Sequence, residues 1–433
     1  MQRRIPFTTA MDRRAFLRKA AGGAAALAGG VALPRLAGAQ DSDALLRSLI
    51  ERSQQGDFGQ NFDSTLRNVN MPKASRPTLS VETAQATERA VTQYEAIVSL
   101  GGWPKVPETN ELRVGYRNPA ISALRQRLKL GGDLDVNAGA SDIFDSYVEA
   151  GVRRFQARHG VRVDGVVRES TFHALNIPAD VRLNQLKNNV VRLRAFKTGR
   201  VTRFVVCNIP AAQIEAIENG VAVSRHTAVV GKPDRASPEI NSKIVEINFN
   251  PFWTVPVSLV RRDLIPRMQA DPEYLTRYRI RIFDPRGQEL TPSQINWYSQ
   301  EAVNYRFKQD PGSQNSLGSI RINFPSAHGV YMHDTPDKNL FGEGFRFHSS
   351  GCVRVQNVRE LVTWLLTGVP GWSRSEIDQA IRSGDRKDAK VNPSVPLHWV
   401  YITAWVTPDG VVQFRDDIYN KDGLGQYART QAG

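Results

Sequence analysis

The chain has 433 residues, 41% of them hydrophobic and 23% charged, with a formal net charge of +14 and only two cysteines. That length allows two or three domains with real cores, and the composition excludes a fibrous or disordered chain. No CxxC or HExxH pattern is present and the histidines show no ligand spacing, so no metal or cofactor is expected; the lack of an arginine-rich tract or an aromatic-basic ladder argues against nucleic acid.

Residues 1–39, which include "DRRAFLRKAAGGAAALAGGVALPRLAGA", combine a charged start, an apolar stretch and a small-residue end at Ala37-Gly38-Ala39. The stretch from Ala20 to Leu33 is too short to span a bilayer, so the segment reads as an export signal. Arg13-Arg14 followed by Ala15-Phe16-Leu17 resembles a twin-arginine signal, which implies a periplasmic protein; a retained anchor and an ordinary secretory signal are the alternatives. Seven Lys or Arg against Asp12 give this segment +6 of the +14, leaving about +8. The remainder favours an anionic partner such as a cell-wall polymer but is too diffuse to name one.

Residues 40–110 carry the helical patterns "ALLRSLIERS" and "ATERAVTQYEAIVSL", stopped by Gly101-Gly102-Trp103-Pro104, and read as a helical support region. Across 111–180, Ile121, Leu124 and Leu128 keep helical spacing, as do Val148, Val152 and Phe155, and Asp164-Gly165 makes a turn before a last helix. The pattern of paired leucines, "FQ", "DG" and "T..ALN" resembles the three-helix peptidoglycan-binding module of wall enzymes; a bare helical scaffold is the alternative. A linker helix is expected over 181–200. From 201 to 425 the texture is that of an antiparallel β domain, with "RFVVCNIP", "QIEAIENG", "HTAVVGK", "SKIVEINFNPFWTVP" and, after an interruption, "GSIRINFP", "GVYMHDTP" and "VPLHWVYITAWVTPDGVVQFRDDIY". The interruption, 257–316, reads as helix and loop, either a lid or a structural excursion. Residues 426–433 form a tail. The fold class is thus α+β multidomain, a mainly antiparallel β domain with an inserted helical lid behind two helical regions.

Cys352 lies in "FRFHSSGCVRV", a polar, glycine-bent setting, whereas Cys207 sits in an apolar strand pattern as a small buried hydrophobe. A disulfide between them is one possibility; otherwise Cys352 is a free thiol in an exported protein. A nucleophilic cysteine needs a base and donors aimed at the developing oxyanion. Gly351 permits a turn that directs the amides of Gly351 and Cys352 into one space. Two histidines are candidate bases: His348, inside the stretch, and His333, which shares a strand face with Tyr331.

Together, "VVGKPDRASPEINSKIVEINFNPFWTVP", "QDPGSQNSLGSIRINFP", "VYMHDTPDKNLF", "SSGCVRVQN" and "FRDDIY" resemble the L,D-transpeptidase family, in its long periplasmic form with a peptidoglycan-binding module and a lid. The resemblance implies Cys352 as nucleophile and His333, not His348, as base. It implies an oxyanion hole from Gly351 and Cys352, with Ser350, and substrate-binding roles for Tyr331, for Arg354, which would hold the turn or a substrate carboxylate, and for Ser349, packed within the motif. Many members have histidine where this chain has Ser350, so no imidazole role is expected there. Asp334 points to the opposite face from His333 if the strand continues, so no carboxylate is evident as the orienter of the ring; in the resembled family a backbone carbonyl can do this work, and the sequence leaves the orienter open. The implied reaction is cysteine acyl transfer from a stem tetrapeptide, with loss of D-Ala, to a side-chain amine of a second stem, giving 3→3 cross-links. L,D-carboxypeptidase action, transfer to a lipoprotein and a non-catalytic wall-binding scaffold are the rivals. Implied partners are peptidoglycan stems and glycan, carbapenem-type β-lactams as covalent inhibitors, and other wall-synthesis proteins.

Overall fold

The computed structural model describes residues 76–196 and 201–427. The expected export segment 1–39, the helical region up to residue 75, the last linker residues 197–200 and the tail beyond 427 lie outside the described residues. Among the described residues no helix is long and apolar enough to cross a membrane.

Five helices precede the β domain: α1 (Val81–Ser99), α2 (Ala120–Leu130), α3 (Ser146–Arg158), α4 (Glu169–Asn176) and α5 (Ala179–Ala195). Helix α1 begins where the Ser80 hydroxyl accepts the Thr83 amide at 3.1 Å, and it stops ahead of Gly101 and Gly102, both at positive φ. In α2, α3 and α4 the two stripes expected from spacing meet: Ile121, Leu124 and Leu128 pack with Val148, Val152 and Phe155, and Phe172 and Leu175 close the core. The fully buried Gln156 accepts the amides of Asp164 and Gly165 at 3.1 and 2.9 Å. The "FQ" and "DG" of the motif therefore form one hydrogen-bonded lock. Helix α5, expected as a linker over 181–200, starts at Ala179 and is structural: its Leu183 and Leu186 pack with Ala86, Ala90 and Tyr94 of α1.

The β domain contains β1 (Arg203–Asn208), β2 (Gln213–Glu218), β3 (Val221–Gly231), β4 (Ile240–Phe249), then β5 (Trp253–Thr254), β6 (Ile280–Phe283), β7 (Glu289–Leu290) and β8 (Arg306–Gln309), followed by β9 (Ile320–Asn323), β10 (Met332–His333), β11 (Phe347–Ser349), β12 (Val353–Val355), β13 (Lys387–Val400), β14 (Ala404–Val406) and β15 (Val412–Phe414). The main sheet runs β11-β3-β12-β10-β9-β4-β13-β1-β2, and β2 also pairs with β3, so the sheet closes on itself. Pairing is antiparallel except at β1–β13, β10–β12 and β3–β11. Asn219 and Gly220, both at positive φ, make the β2–β3 hairpin expected from their pairing. Helices α6 (Val358–Leu365) and α7 (Arg374–Ser383) add to those expected from sequence; Leu361, Val362, Leu365 and Ile377 fill the sheet's interior beside Val353, Val355 and Ile322. The β14–β15 hairpin leaves the main sheet and packs Ala404, Val406 and Phe414 on α1 and α5.

The excursion between β4 and β9 differs from the helical lid read over 257–316. It runs from the end of β4 to the start of β9 and carries its own antiparallel sheet, β5-β8-β6-β7, beside short helical turns at Val257–Leu259, Val260–Leu264, Ile265–Ala270 and Tyr274–Arg277. Strands of two to four residues show too few alternations to be legible from periodicity. Its core is separate, built from Val260, Leu264, Met268, Leu275, Ile282 and Phe307. With each such side chain contributing about 1.5–3 kcal/mol, the insertion has the apolar burial to keep its own shape.

Candidate active site

Strands β10 and β12 run parallel, with Met332 opposite Val353 and His333 opposite Arg354. This register sets Tyr331 beside Cys352, and the Val353 amide donates to the Tyr331 carbonyl at 3.1 Å. Tyr331, His333, Ser349, Ser350, Cys352 and Arg354 all line one cleft of about 610 Å³, roofed by insertion residues that include Trp253, Leu259, Asp263, Arg267 and Tyr274. His348 is not among the lining residues; its Nε2 lies 2.8 Å from both the Glu343 carboxylate and the Phe345 carbonyl. Cys207 is fully buried and unpaired, and Cys352 is a free thiol, so no disulfide joins them.

The turn from β11 to β12 holds the thiol. Gly351 has φ of +110°, a region L residues avoid, while an added Cβ there meets only ordinary contacts, the nearest being Val330 Cγ1 at 3.5 Å. Glycine is required by conformation, not by crowding. The Ser349 hydroxyl donates to the Cys352 carbonyl at 2.5 Å and accepts the Gly351 amide at 3.2 Å. The Gly351 N–H, one of the two amides expected at the oxyanion hole, thus makes a contact inside the turn. The Cys352 amide makes no hydrogen bond among the described residues. Ser350 presents its hydroxyl to Arg235 Nη1 at 3.0 Å.

The titrating groups sit in an environment that keeps them neutral. Burial, reinforced by Arg354, pushes the His333 imidazole down to about 3, and burial pushes the Cys352 thiol up. The Tyr331 amide and phenol, with Arg321, favour the thiolate without overcoming burial. No hydrogen bond joins Cys352 to His333 among the described residues, and apo sites often close such contacts only with substrate bound. His333 Nδ1 faces the Asp334 carbonyl, so that nitrogen carries the proton in the neutral ring and Nε2 is the acceptor. The Asp334 carboxylate turns the other way, accepting the Ser319 amide and hydroxyl at 3.0 Å. Trp253 of β5 donates to the Tyr331 hydroxyl at 3.1 Å, and the Tyr331 and His333 rings stand edge to face at 5.8 Å. Arg354 Nη1 meets Asp337 at 3.2 Å and Thr335 Oγ1 at 3.5 Å.

Residues that sequence reasoning left without a role brace this turn from behind. Ser237 Oγ donates to the Gly351 carbonyl at 2.9 Å and accepts the Gly231 amide at 2.9 Å. Tyr419 donates to the Gly231 carbonyl at 2.7 Å and accepts the Ser237 amide at 3.1 Å; Tyr401 in turn accepts the Tyr419 amide at 2.8 Å and donates to the buried Asp417 at 2.7 Å. The signal was present in "GKPDRASPEI" and "FRDDIY", whose polar residues had no site to join until the fold brought them behind Gly351. Tyr419→Phe leaves one buried carbonyl and one buried amide without this partner, and is expected to lower stability by about 1–3 kcal/mol, measured by urea unfolding.

A second expectation concerns acid. His226 is pushed down by burial to about 4, His333 to about 3, and His159 well below the usual histidine range. Each folded value lies below the unfolded one near 6.5, so the unfolded chain binds more protons and stability falls as pH drops from about 6.5 towards 4. Thermal midpoints measured from pH 7 to 4.5 are expected to fall steadily, and His226→Gln is expected to flatten that slope.

Residues 202–372 match the L,D-transpeptidase catalytic domain named YkuD, and residues 117–175 match the "Putative peptidoglycan binding domain". The chain thus carries a domain of the L,D-transpeptidase catalytic type and, ahead of it, one of the peptidoglycan-binding type. A Haemophilus influenzae protein named "Putative L,D-transpeptidase" is 33% identical over 239 residues, 55% of this chain and 48% of that protein. The chain spans about half the length of that curated relative. Among solved structures, an L,D-transpeptidase from Mycobacterium smegmatis aligns over 46% of this chain and 58% of its own at 14% identity and a TM-score of 0.24. The L,D-transpeptidase LdtMt1 in complex with imipenem aligns over 46% and 59% at 14% identity and a TM-score of 0.23. Overlaps of that size carry no argument about the site.

Proposed function

We propose that this protein forms 3→3 peptidoglycan cross-links by cysteine acyl transfer, in the periplasm or cell wall where its matched domains act. The observation that carries the reading is the convergence of Cys352, Tyr331 and His333, at and just before the paired strands β12 and β10, in one cleft beneath the insertion. In the first half-reaction Cys352 Sγ attacks the carbonyl of the diamino acid at the third position of a stem tetrapeptide. Its proton passes to His333 Nε2 as the C–S bond forms; neither ion is stable alone in this buried site, so proton and bond move together. The oxyanion is met by the Cys352 amide, with the Ser350 backbone beside it, while Gly351 acts through the shape of the turn. The C–N bond to D-Ala then breaks and His333 returns the proton to the leaving amine.

In the second half-reaction the side-chain amine of a neighbouring stem attacks the thioester. His333 takes its proton and returns it to the thiolate. The insertion covers the cleft and keeps water from the thioester, which separates transfer from hydrolysis. Tyr331 supports the sulfur, and Arg354, held by Asp337, faces the cleft where a substrate carboxylate sits. The module matched at 117–175 holds the enzyme on glycan, and carbapenems acylate the same sulfur.

The purified protein incubated with disaccharide-tetrapeptide and followed by mass spectrometry tests the reading. Dimers lacking one D-Ala are expected. Tripeptide alone would make it a carboxypeptidase, and no product together with no imipenem adduct would make it a scaffold.

A further inference from the structure

The cleft contains one link that the reaction scheme above does not use. Arg235 ends the short turn Pro233–Arg235 after β3, and its guanidinium grips Asp263 with both ends, Nη1 to Oδ2 at 2.7 Å and Nη2 to Oδ1 at 3.1 Å. Asp263 lies on the insertion, in the turn Val260–Leu264, between the buried anchors Val260 and Leu264. The same Nη1 donates to Ser350 Oγ at 3.0 Å. One side chain thus connects the insertion to the residue preceding Gly351-Cys352.

We propose that Arg235 is a positioning residue that latches the insertion, through Asp263, to the nucleophile turn, through Ser350, so that a seated lid and an aligned Cys352 occur together. The proposal rests on the acyl-transfer reading. It also gives Ser350 a purpose: the residue just before Gly351-Cys352 places a short hydroxyl that accepts from Arg235.

The chemistry favours arginine for this task. A planar fork satisfies both carboxylate oxygens and still directs one N–H to a hydroxyl, whereas an ammonium is a single point donor on a flexible stem. The guanidinium is largely shielded, at 15% exposure, and Asp263 is 35% exposed, so the pair is screened less than an open surface bridge. The adjoining Ser237, two residues on, holds the Gly351 carbonyl, so the segment 232–237 touches the turn at two successive residues. Loss of the Arg235 contacts leaves Ser237 in place; the turn persists while its link to the insertion is cut.

The test uses Arg235→Gln, Arg235→Lys and Asp263→Asn in the full chain, beside wild type and a Ser350→Ala variant. Read-outs are kcat and KM for tetrapeptide dimerisation, the ratio of dimer to hydrolysed tripeptide, and hydrogen exchange over 257–264 and 349–352. Arg235→Gln and Asp263→Asn are each expected to lower kcat by about 10-fold with donor KM changed less than about twofold, and to shift product towards hydrolysis. Exchange is expected to rise in both segments, and Arg235→Lys to restore little. The double variant Arg235→Gln/Asp263→Asn is expected to be no worse than the poorer single one, the signature of one shared link. Wild-type kcat, product ratio and exchange in Asp263→Asn would overturn the latch. A wild-type protein that yields neither dimer nor tripeptide would instead overturn the functional reading, and the latch with it.

Discussion

Cys352→Ala is expected to remove the imipenem adduct from the intact-mass spectrum and to lower dimer formation by on the order of 10⁴-fold or more. The size of the effect follows from the lack of a substitute nucleophile. The other thiol, Cys207, is fully buried, has its ionisation suppressed by burial, and lies outside the cleft. Cys352→Ser is expected to fare little better, although it preserves shape. A serine hydroxyl is a far weaker acid than a thiol and its oxyanion is a poorer leaving group, so the same imidazole, pushed down by burial, moves its proton less readily. Both variants should keep their thermal midpoints close to wild type, which separates lost chemistry from lost folding. An imipenem adduct of normal yield on Cys352→Ala would place the nucleophile elsewhere.

Gly351→Ala is expected to be the most damaging change at a residue whose side chain does no chemistry. The φ of +110° is costly for any L residue, and strain of this kind runs to about 1–3 kcal/mol. Space is not the difficulty, because a methyl group there meets Val330 at 3.5 Å and the Ala236 carbonyl at 3.6 Å. The strain therefore acts on the backbone. Relaxing it swings the Gly351 carbonyl off Ser237 and its amide off Ser349, and carries the Cys352 amide away from where an oxyanion forms. Transfer is expected to fall by about 10²-fold, in keeping with displacements of about 1 Å, while urea unfolding registers the strain. Ser237→Ala should reproduce part of the kinetic loss with no strain, since it removes only the donor to the Gly351 carbonyl. Unchanged kinetics in Gly351→Ala would mean that the turn is not held in one conformation.

The long periodic segments were legible because their burial is local. Ile121, Leu124 and Leu128, or Val148, Val152 and Phe155, announce a helix face wherever the chain goes next, and Asn219-Gly220 announces a hairpin. The short strands of the insertion were not, since a two-residue strand such as Trp253–Thr254 exists only because Lys308 and Gln309 lie across from it. Tyr331 shows the same limit in the site. Alternation placed it on the face of His333, but only the parallel β10–β12 register puts it against the sulfur, and only the insertion supplies Trp253 to its hydroxyl.

The sequence by itself determined the resemblance to an L,D-transpeptidase domain, the candidate cysteine and histidine, the three-helix module, the β character of the larger domain and the presence of a large excursion within it. These rest on residue types and spacings that act over a few positions of chain. Only the tertiary structure decided the rest: the Gly351 amide turned inward to Ser349, the Asp334 carbonyl facing His333, the brace from Asp417 through Tyr401, Tyr419 and Ser237, and the reach of Arg235 from Asp263 to Ser350. Those contacts join residues as much as 182 positions apart, and their partners are set by strand register and by the close approach of separate loops, which no local pattern encodes.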